Sequence, residues 1–314
     1  MDLDDPSLRD RIAGTLVGLA TGDALGAPYE FQIPGPDRPE MVGGGLGPWE
    51  PGEWTDDTQQ AICVAEAAAA GRLVPAAVGE RLLEWFRGRP KDVGVHTRQV
   101  LKRARSAADL PRVAADLFAL RPGNSSGNGS LMRTAPVALA LLGDDDAIAE
   151  AAREVSALTH ADPLCGDACV LWCIAIDRAV REQRLNGVDD GLVLLPGATR
   201  NRWSGWIAQA RRDPPGRFVP NGYVVTAFQT ALSAIEHTAR GARGGAGEHV
   251  RRALGAAVAA GHDTDTVAAI AGALLGARWG AAALPSEWTG MLHGWPGLDA
   301  DGLARLAWRA AGIR

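Results

Sequence analysis

The sequence predicts an all-α fold, and three observations carry the prediction. Apolar residues recur at spacings of three and four along most of the chain, the period of a helix with one buried face. Short β-favouring runs are confined to residues 191–197 and 217–225. No alternation of strand and helix signals runs along the chain, which disfavours doubly wound and parallel-barrel folds.

The first helix spans residues 7–25, with Ile12, Leu16, Leu19 and Ala20 on one face. Gly14 and Gly18 lower its helix propensity, so close packing must compensate. A loop rich in proline and glycine follows over 28–52. The second helix begins at Asp56 and is stopped by Gly71. Further helices are expected at 76–87, 95–105, 110–120, 131–142, 146–158, 163–181, 203–211, 224–240, 248–260 and 264–279, with a short one at 303–311. Asp162 and Pro163 read as the cap and first turn of the helix at 163. The 39 glycines do not upset this reading, because they gather at helix ends and in loops.

At 314 residues the chain suits one large domain or two modest ones. No linker stands out, so 1–314 is read as one domain with a variable excursion around 182–220, a lid or insertion. Residues 241–248 read as a flexible connection between helices. The formal net charge of -5 gives no global pull toward nucleic acid. Four cysteines are too few and too clustered for a secreted disulfide framework, and Cys165, Cys169 and Cys173 fit one buried helix face. The start lacks the basic and apolar regions of a signal peptide, and no apolar stretch makes a membrane span. The expectation is a cytoplasmic protein with no membrane partner.

The chemistry concentrates in two acidic clusters. Thr55-Asp56-Asp57-Thr58 opens one apolar helix, and Asp263-Thr264-Asp265-Thr266 opens another. A helix start explains one acid easily: Thr55 can cap, and acids meet the free N–H groups of the first turn favourably. It explains adjacent pairs less well. More than 200 residues separate the clusters, so they can meet only through tertiary packing. If they do, divalent cations relieve the repulsion, and carboxylates with threonine hydroxyls suit Mg²⁺ or Mn²⁺. One ion, two ions and a purely structural site all remain open at this point. Zinc is disfavoured, because neither HExxH nor CxxC occurs.

Four ordered motifs carry a resemblance: GLATGDALGAPYEF at 18–31, PGEWTDDTQQ at 51–60, GNGSLMRTAPVAL at 127–139, and GHDTDTVAAIAGALLGA at 261–277. LTHADPLCGDA at 158–168 is a weaker fifth. Together they resemble the ADP-ribosylglycohydrolase family. The resemblance implies a compact, orthogonal multi-helix domain with two divalent cations, Mg or Mn. It implies Thr55, Asp56 and Asp57 as ligands from the first cluster, and Asp263, Asp265 and Thr266 from the second. Glu30 stands where the serine-directed branch uses a glutamate. The implied reaction is hydrolysis of the bond between ADP-ribose and an acceptor, with the ions gripping the vicinal hydroxyls of the ribose. Asp56 or Asp57 would be the general base, and Asp263 a weaker candidate. The implied partners are an ADP-ribosylated protein as substrate and ADP-ribose as product. Arginine is the expected acceptor. Serine-linked ADP-ribose, guanine-linked ADP-ribose on nucleic acid, and a non-catalytic ADP-ribose binder are the alternatives.

As a bare pattern, the glycine-rich bend at 126–130 feeding a helix is an ordinary turn as readily as a phosphate cradle. With the resemblance, Asn128, Gly129 and Ser130 become phosphate-loop candidates. Met132 is expected under that loop. Arg133 is expected to meet phosphate or to brace a carboxylate. His160 is expected to line the ADP-ribose pocket, and Asp23 to act from a helix end rather than as a direct ligand. Trp49 and Trp54 flank the first cluster as candidate cleft walls. Trp203 and Trp206, near Arg202, Arg211 and Arg212, hint at a contact surface. His262 departs from the glycine or asparagine of many relatives.

Overall fold

In the computed structural model, Asp5 caps the first helix by accepting from the Ser7 N–H, and Pro6 sits in its first turn. The described residues are 2–32, 38–71, 73–239 and 244–313. The helices in chain order are α1 (Pro6–Gly26), α2 (Asp56–Ala69), α3 (Pro75–Arg87), α4 (Val95–Arg103), α5 (Leu110–Leu120), α6 (Ala135–Ala140), α7 (Asp145–Ala157) and α8 (Pro163–Glu182). They continue with α9 (Val188–Gly191), α10 (Gly197–Arg212), α11 (Val224–Ala239), α12 (Ala246–Ala259), α13 (Thr264–Trp279), α14 (Ser286–Thr289) and α15 (Ala300–Ala310). The only sheet among the described residues is a two-residue hairpin pairing, His293–Gly294 with Leu298–Asp299.

Two helices are buried on every side. From Arg11 onward all of α1 is buried, as is α13 up to Ala277. A helix with no polar face belongs at the centre of a bundle, and these two run antiparallel there. Small residues form the seam between them. Gly14 faces Gly276, Gly18 faces Gly272, and Gly22 faces Ala268. A Cβ on Gly22 would sit 2.0 Å from the Ala268 carbonyl oxygen, so this backbone approach tolerates no side chain. The seam explains why a central helix carries residues of poor helix propensity. Around it, α8 is tied to α13 by the Trp172 Nε1–H donating to the Ile270 carbonyl at 3.1 Å.

Several expectations change in detail. The helix expected at 131–142 is a 3-10 turn, Leu131–Arg133, followed by α6. Pro136 has no N–H to continue the earlier turn, so the helix restarts. The β-favouring run 191–197 forms a 3-10 turn, Leu192–Leu194, between α9 and α10. Residues 217–225 contribute one isolated bridge, Tyr223 with Gly127. Much of the excursion 182–220 is helical and packed, with Trp203 fully buried. Its arginines have local partners: Arg202 lies over Trp206, Arg211 pairs with Asp189 and Arg212 with Asp213. Part of the expected 241–248 connection, and the last residue of the helix expected at 224–240, lie outside the described residues.

Candidate functional site

The first cluster is placed by an aspartate from another helix. Thr55 occupies the N-cap position of α2, yet its side chain makes no cap bond. Asp23, near the end of α1, does that work instead. Its carboxylate accepts from the Thr55 N–H at 3.0 and 3.1 Å and from the Thr58 N–H at 3.0 Å. It also accepts from the hydroxyls of Thr55 at 2.8 Å and Thr58 at 2.5 Å. Two N–H groups at the start of α2 are thus satisfied in trans, and the Thr55 side chain is turned toward the acids.

The second cluster is fixed by two asparagines. Asp263 donates its N–H to Asn221 Oδ1 at 2.9 Å. Its carboxylate accepts from Asn128 Nδ2 at 2.8 Å. Asn221 also donates to the Gly261 carbonyl, and Asn128 to the Asn221 carbonyl. His262 between them has φ 62°, the left-handed region, where glycine and asparagine are at ease and histidine is tolerated. That backbone demand suits the glycine or asparagine expected there, and the histidine side chain is exposed.

The clusters converge. The Thr55 hydroxyl lies 3.4 Å from Asp57 Oδ2 and 3.5 Å from Asp265 Oδ2, touching both. Above them opens a cavity of about 340 Å³, whose lining includes Glu30, Asp56, Asp57, Asp92, Asp263 and Asp265. Asn128, Gly129, Met132 and Thr266 complete the polar and loop side. A larger cleft of about 1110 Å³ lies elsewhere, between the segment 38–42 and helices α12 and α14, and holds none of these acids.

Crowding raises the acids' pKa values. Burial first, then neighbouring carboxylates, holds Asp57 and Asp265 well above the usual carboxylate range. Burial and then Asp92 push Asp56 up to about 7; burial and then Asp263 push Glu30 up to about 8. Burial raises Asp263 as well, against the pull of Asn128. Such a cluster fits divalent cations on two observations. Glu30, Asp263 and Asp265 offer ligand atoms all within 4.8 Å of one another. Asp57 Oδ1 is buried with no hydrogen-bond partner, an unsatisfied hard donor beside that group.

Other candidates stand further back. Ser130 turns its hydroxyl into the core, 2.8 Å from Ser156 Oγ, so only its backbone belongs to the loop. The segment after it is a single 3-10 turn, so no α-helix dipole points at this loop. His160 is buried behind Gly127 and Gly129, with Nδ1 on the Thr159 hydroxyl at 2.8 Å. Trp49 and Trp54 are buried outside the cavity lining, contrary to the expectation of cleft walls.

Three residues escaped the sequence reading or were undervalued by it. Asp23 carried a signal, as the one charge in α1 after Arg11. Asn221 and Asp92 carried none: each sits in an unremarkable loop, and only tertiary packing brings it to the acids.

A family model described as ADP-ribosylglycohydrolase matches residues 4–313. The chain belongs to the ADP-ribosylglycohydrolase family. This family member is 29% identical over 297 residues to the ADP-ribosyl-[dinitrogen reductase] glycohydrolase of Rhodospirillum rubrum, covering 91% of this chain and 92% of that one. It is 31% identical over 293 residues to the ADP-ribosylarginine hydrolase Tri1 of Pseudomonas putida (strain GB-1), covering 89% and 73%. A solved structure titled ADP-ribosylglycohydrolase-related protein complex superposes with TM-score 0.75 at 30% identity, covering 98% of this chain and 99% of that one. The almost wholly helical fold agrees. The family and the acidic centre together make the chain a metal-dependent glycohydrolase of ADP-ribose linkages. No helix among the described residues is long and apolar enough to cross a membrane.

Proposed function

We propose that this glycohydrolase cleaves the N-glycosidic bond between ADP-ribose and protein arginine side chains, using two divalent cations, Mg²⁺ or Mn²⁺. Thr55, Asp56, Asp57, Asp263, Asp265 and Thr266 would hold them, with Glu30 in reach of Asp263 and Asp265. When bound, the cations would neutralise the crowded acids and hold the vicinal hydroxyls of the ribose.

The protein's own groups do the rest. Gln60 Nε2 at 2.8 Å and the Gly94 N–H at 3.4 Å hold Asp56 Oδ2, which orients this carboxylate in the cavity wall. Asp56 or Asp57 takes a proton from the attacking water, with Asp263 the weaker alternative. Positive charge developing at the anomeric carbon is favoured by the surrounding carboxylates. Asn128 and Gly129 line the side open to the pyrophosphate.

The observation that carries the arginine assignment is Asp92. It lines the cavity half-buried, outside the acid set argued for the cations. A carboxylate there complements a guanidinium leaving group. The relatives named for arginine and dinitrogen reductase substrates point the same way. Glu30 inside the acid cluster favours a second reading, removal of ADP-ribose O-linked to serine.

The deciding experiment offers arginine-, serine- and guanine-linked ADP-ribose to the purified protein with Mg²⁺ or Mn²⁺, and with EDTA. Fastest release from arginine, abolished by EDTA, is expected. Preference for serine or guanine overturns the acceptor assignment, and undiminished release in EDTA overturns the metal centre. The Asp56→Asn/Asp57→Asn double variant should lose turnover while keeping its helical circular dichroism.

A further inference from the structure

Arg133 is a buried cation whose hydrogen-bond partners among the described residues are all neutral. A guanidinium taken out of water needs a reason. Burial lowers its pKa to about 10, and it stays charged at neutral pH. Its Nη1 donates to Gln60 Oε1 at 2.8 Å. Its Nη2 donates to Thr159 Oγ1 at 2.7 Å and to the Val155 carbonyl at 3.2 Å.

Because arginine only donates, each neighbour's proton arrangement follows. Gln60 must present its amide oxygen to Arg133, so its NH₂ faces Asp56 Oδ2, 2.8 Å away. Thr159 accepts from Arg133, and its hydroxyl proton has one acceptor among its described contacts, His160 Nδ1 at 2.8 Å. His160 Nδ1 is therefore unprotonated. Burial, with His96 and Arg133 nearby, holds the His160 pKa well below its usual range, so the ring is neutral and its proton sits on Nε2. That nitrogen faces the cavity loop: a Cβ on Gly129 would lie 3.3 Å from it, and one on Gly127 3.6 Å. His96, whose ring centroid is 4.8 Å away, bonds the Thr159 carbonyl through its own Nε2 and does not compete for His160 Nδ1.

We propose that Arg133 is a positioning residue serving both halves of the site. Through Thr159 it sets His160 as an Nε2–H donor toward the 127–129 loop, and through Gln60 it sets the Asp56 carboxylate. The catalytic meaning rests on the proposed function; the tautomer does not.

The test begins with ¹⁵N-labelled histidine NMR on the intact protein at neutral pH. His160 should show a protonated Nε2 and a bare Nδ1; a protonated Nδ1 overturns the proposal. Thr159→Val should scramble or reverse that tautomer, and Thr159→Ser should restore it. An unchanged tautomer in Thr159→Val overturns the relay. Arg133→Met should disturb His160 in the same way, and the Thr159 pair keeps the test alive if that variant fails to fold. Thr159→Val should weaken ADP-ribose binding about tenfold, near 1.4 kcal/mol, with cation affinity unchanged. Gln60→Met should instead lower turnover about tenfold with little change in ADP-ribose affinity. Equal effects of both variants on both quantities overturn the division of labour. Inactivity on every ADP-ribose linkage would sink the proposed function and leave the NMR result standing.

Discussion

Replacing Asp23 with alanine removes the acceptor of the Thr55 and Thr58 N–H groups at the start of α2. Losing an N-cap costs about 0.5–2 kcal/mol, and a buried donor left without a partner about 1–3 kcal/mol. Two such donors give a gross penalty of roughly 2–6 kcal/mol. Removing one negative charge from the acid cluster offsets part of this, so the net loss should be about 2–4 kcal/mol. For a chain of this size that corresponds to a melting temperature lower by roughly 4–8 °C. Differential scanning calorimetry with saturating Mn²⁺ measures it. Asp23→Asn keeps one acceptor oxygen and should fall between wild type and alanine. The alanine variant should also bind Mn²⁺ more weakly by isothermal titration, because Thr55 loses the bond that turns its hydroxyl to Asp57 and Asp265. A melting temperature within 1 °C of wild type, with unchanged Mn²⁺ affinity, would refute the trans-capping argument.

The raised carboxylates make the metal-free protein hold protons that the unfolded chain releases. Its stability should therefore be greatest below the ordinary carboxylate range and fall as pH rises toward Glu30's value of about 8. Melting curves in EDTA should show that slope, and saturating Mn²⁺ should flatten it. Gly22→Ala drives a Cβ to 2.0 Å from the Ala268 carbonyl oxygen and should cost about 3 kcal/mol or more, read as lost soluble yield and a lower urea midpoint. Asp92→Asn should lower kcat/KM on arginine-linked ADP-ribose about tenfold or more while leaving the affinity for free ADP-ribose within twofold. An equal loss on serine-linked substrate would remove Asp92 from acceptor recognition.

Much of the fold was legible because its helices carry strong three-and-four periodicity and plain stop signals, as at Asp56 and Gly71. Pro136 was equally visible, yet the apolar run around it concealed that the helix restarts there. The run Leu192–Leu194 is apolar enough for a strand, but it has no neighbour to pair with and is used to turn the chain between α9 and α10. In the site, the two acid clusters announced themselves as pairs of carboxylates at the mouths of apolar helices. Their meeting could only be conjectured, because the contact depends on α1 and α13 lying backbone to backbone. Side-chain direction was out of reach: Ser130 lies within a glycine-rich bend yet points into the core at Ser156. Arg133, expected to meet phosphate or to brace a carboxylate, reaches Asp56 only through Gln60.

The spacing of the glycines between the two central helices has a consequence for uniqueness. Positions 14, 18, 22 and 26 repeat every four residues, as do 264, 268, 272, 276 and 280 opposite. Sliding α13 by one repeat would set Gly26 on Ala268, Gly22 on Gly272, Gly18 on Gly276 and Gly14 on Gly280, again small against small. The seam alone is thus nearly indifferent to a shift of about 6 Å. What breaks the tie lies outside the seam: the Thr264 hydroxyl donates to the Gly26 carbonyl at 2.8 Å, Asp10 accepts from the Ala282 N–H at 3.1 Å, and the Trp172 indole holds the Ile270 carbonyl. A slipped molecule would keep small residues along the seam, break the Trp172–Ile270 bond and lose its chemistry, because Asp265 would travel the same distance away from Thr55. These contacts work like the locating pins of a sliding joint, holding the acids in register.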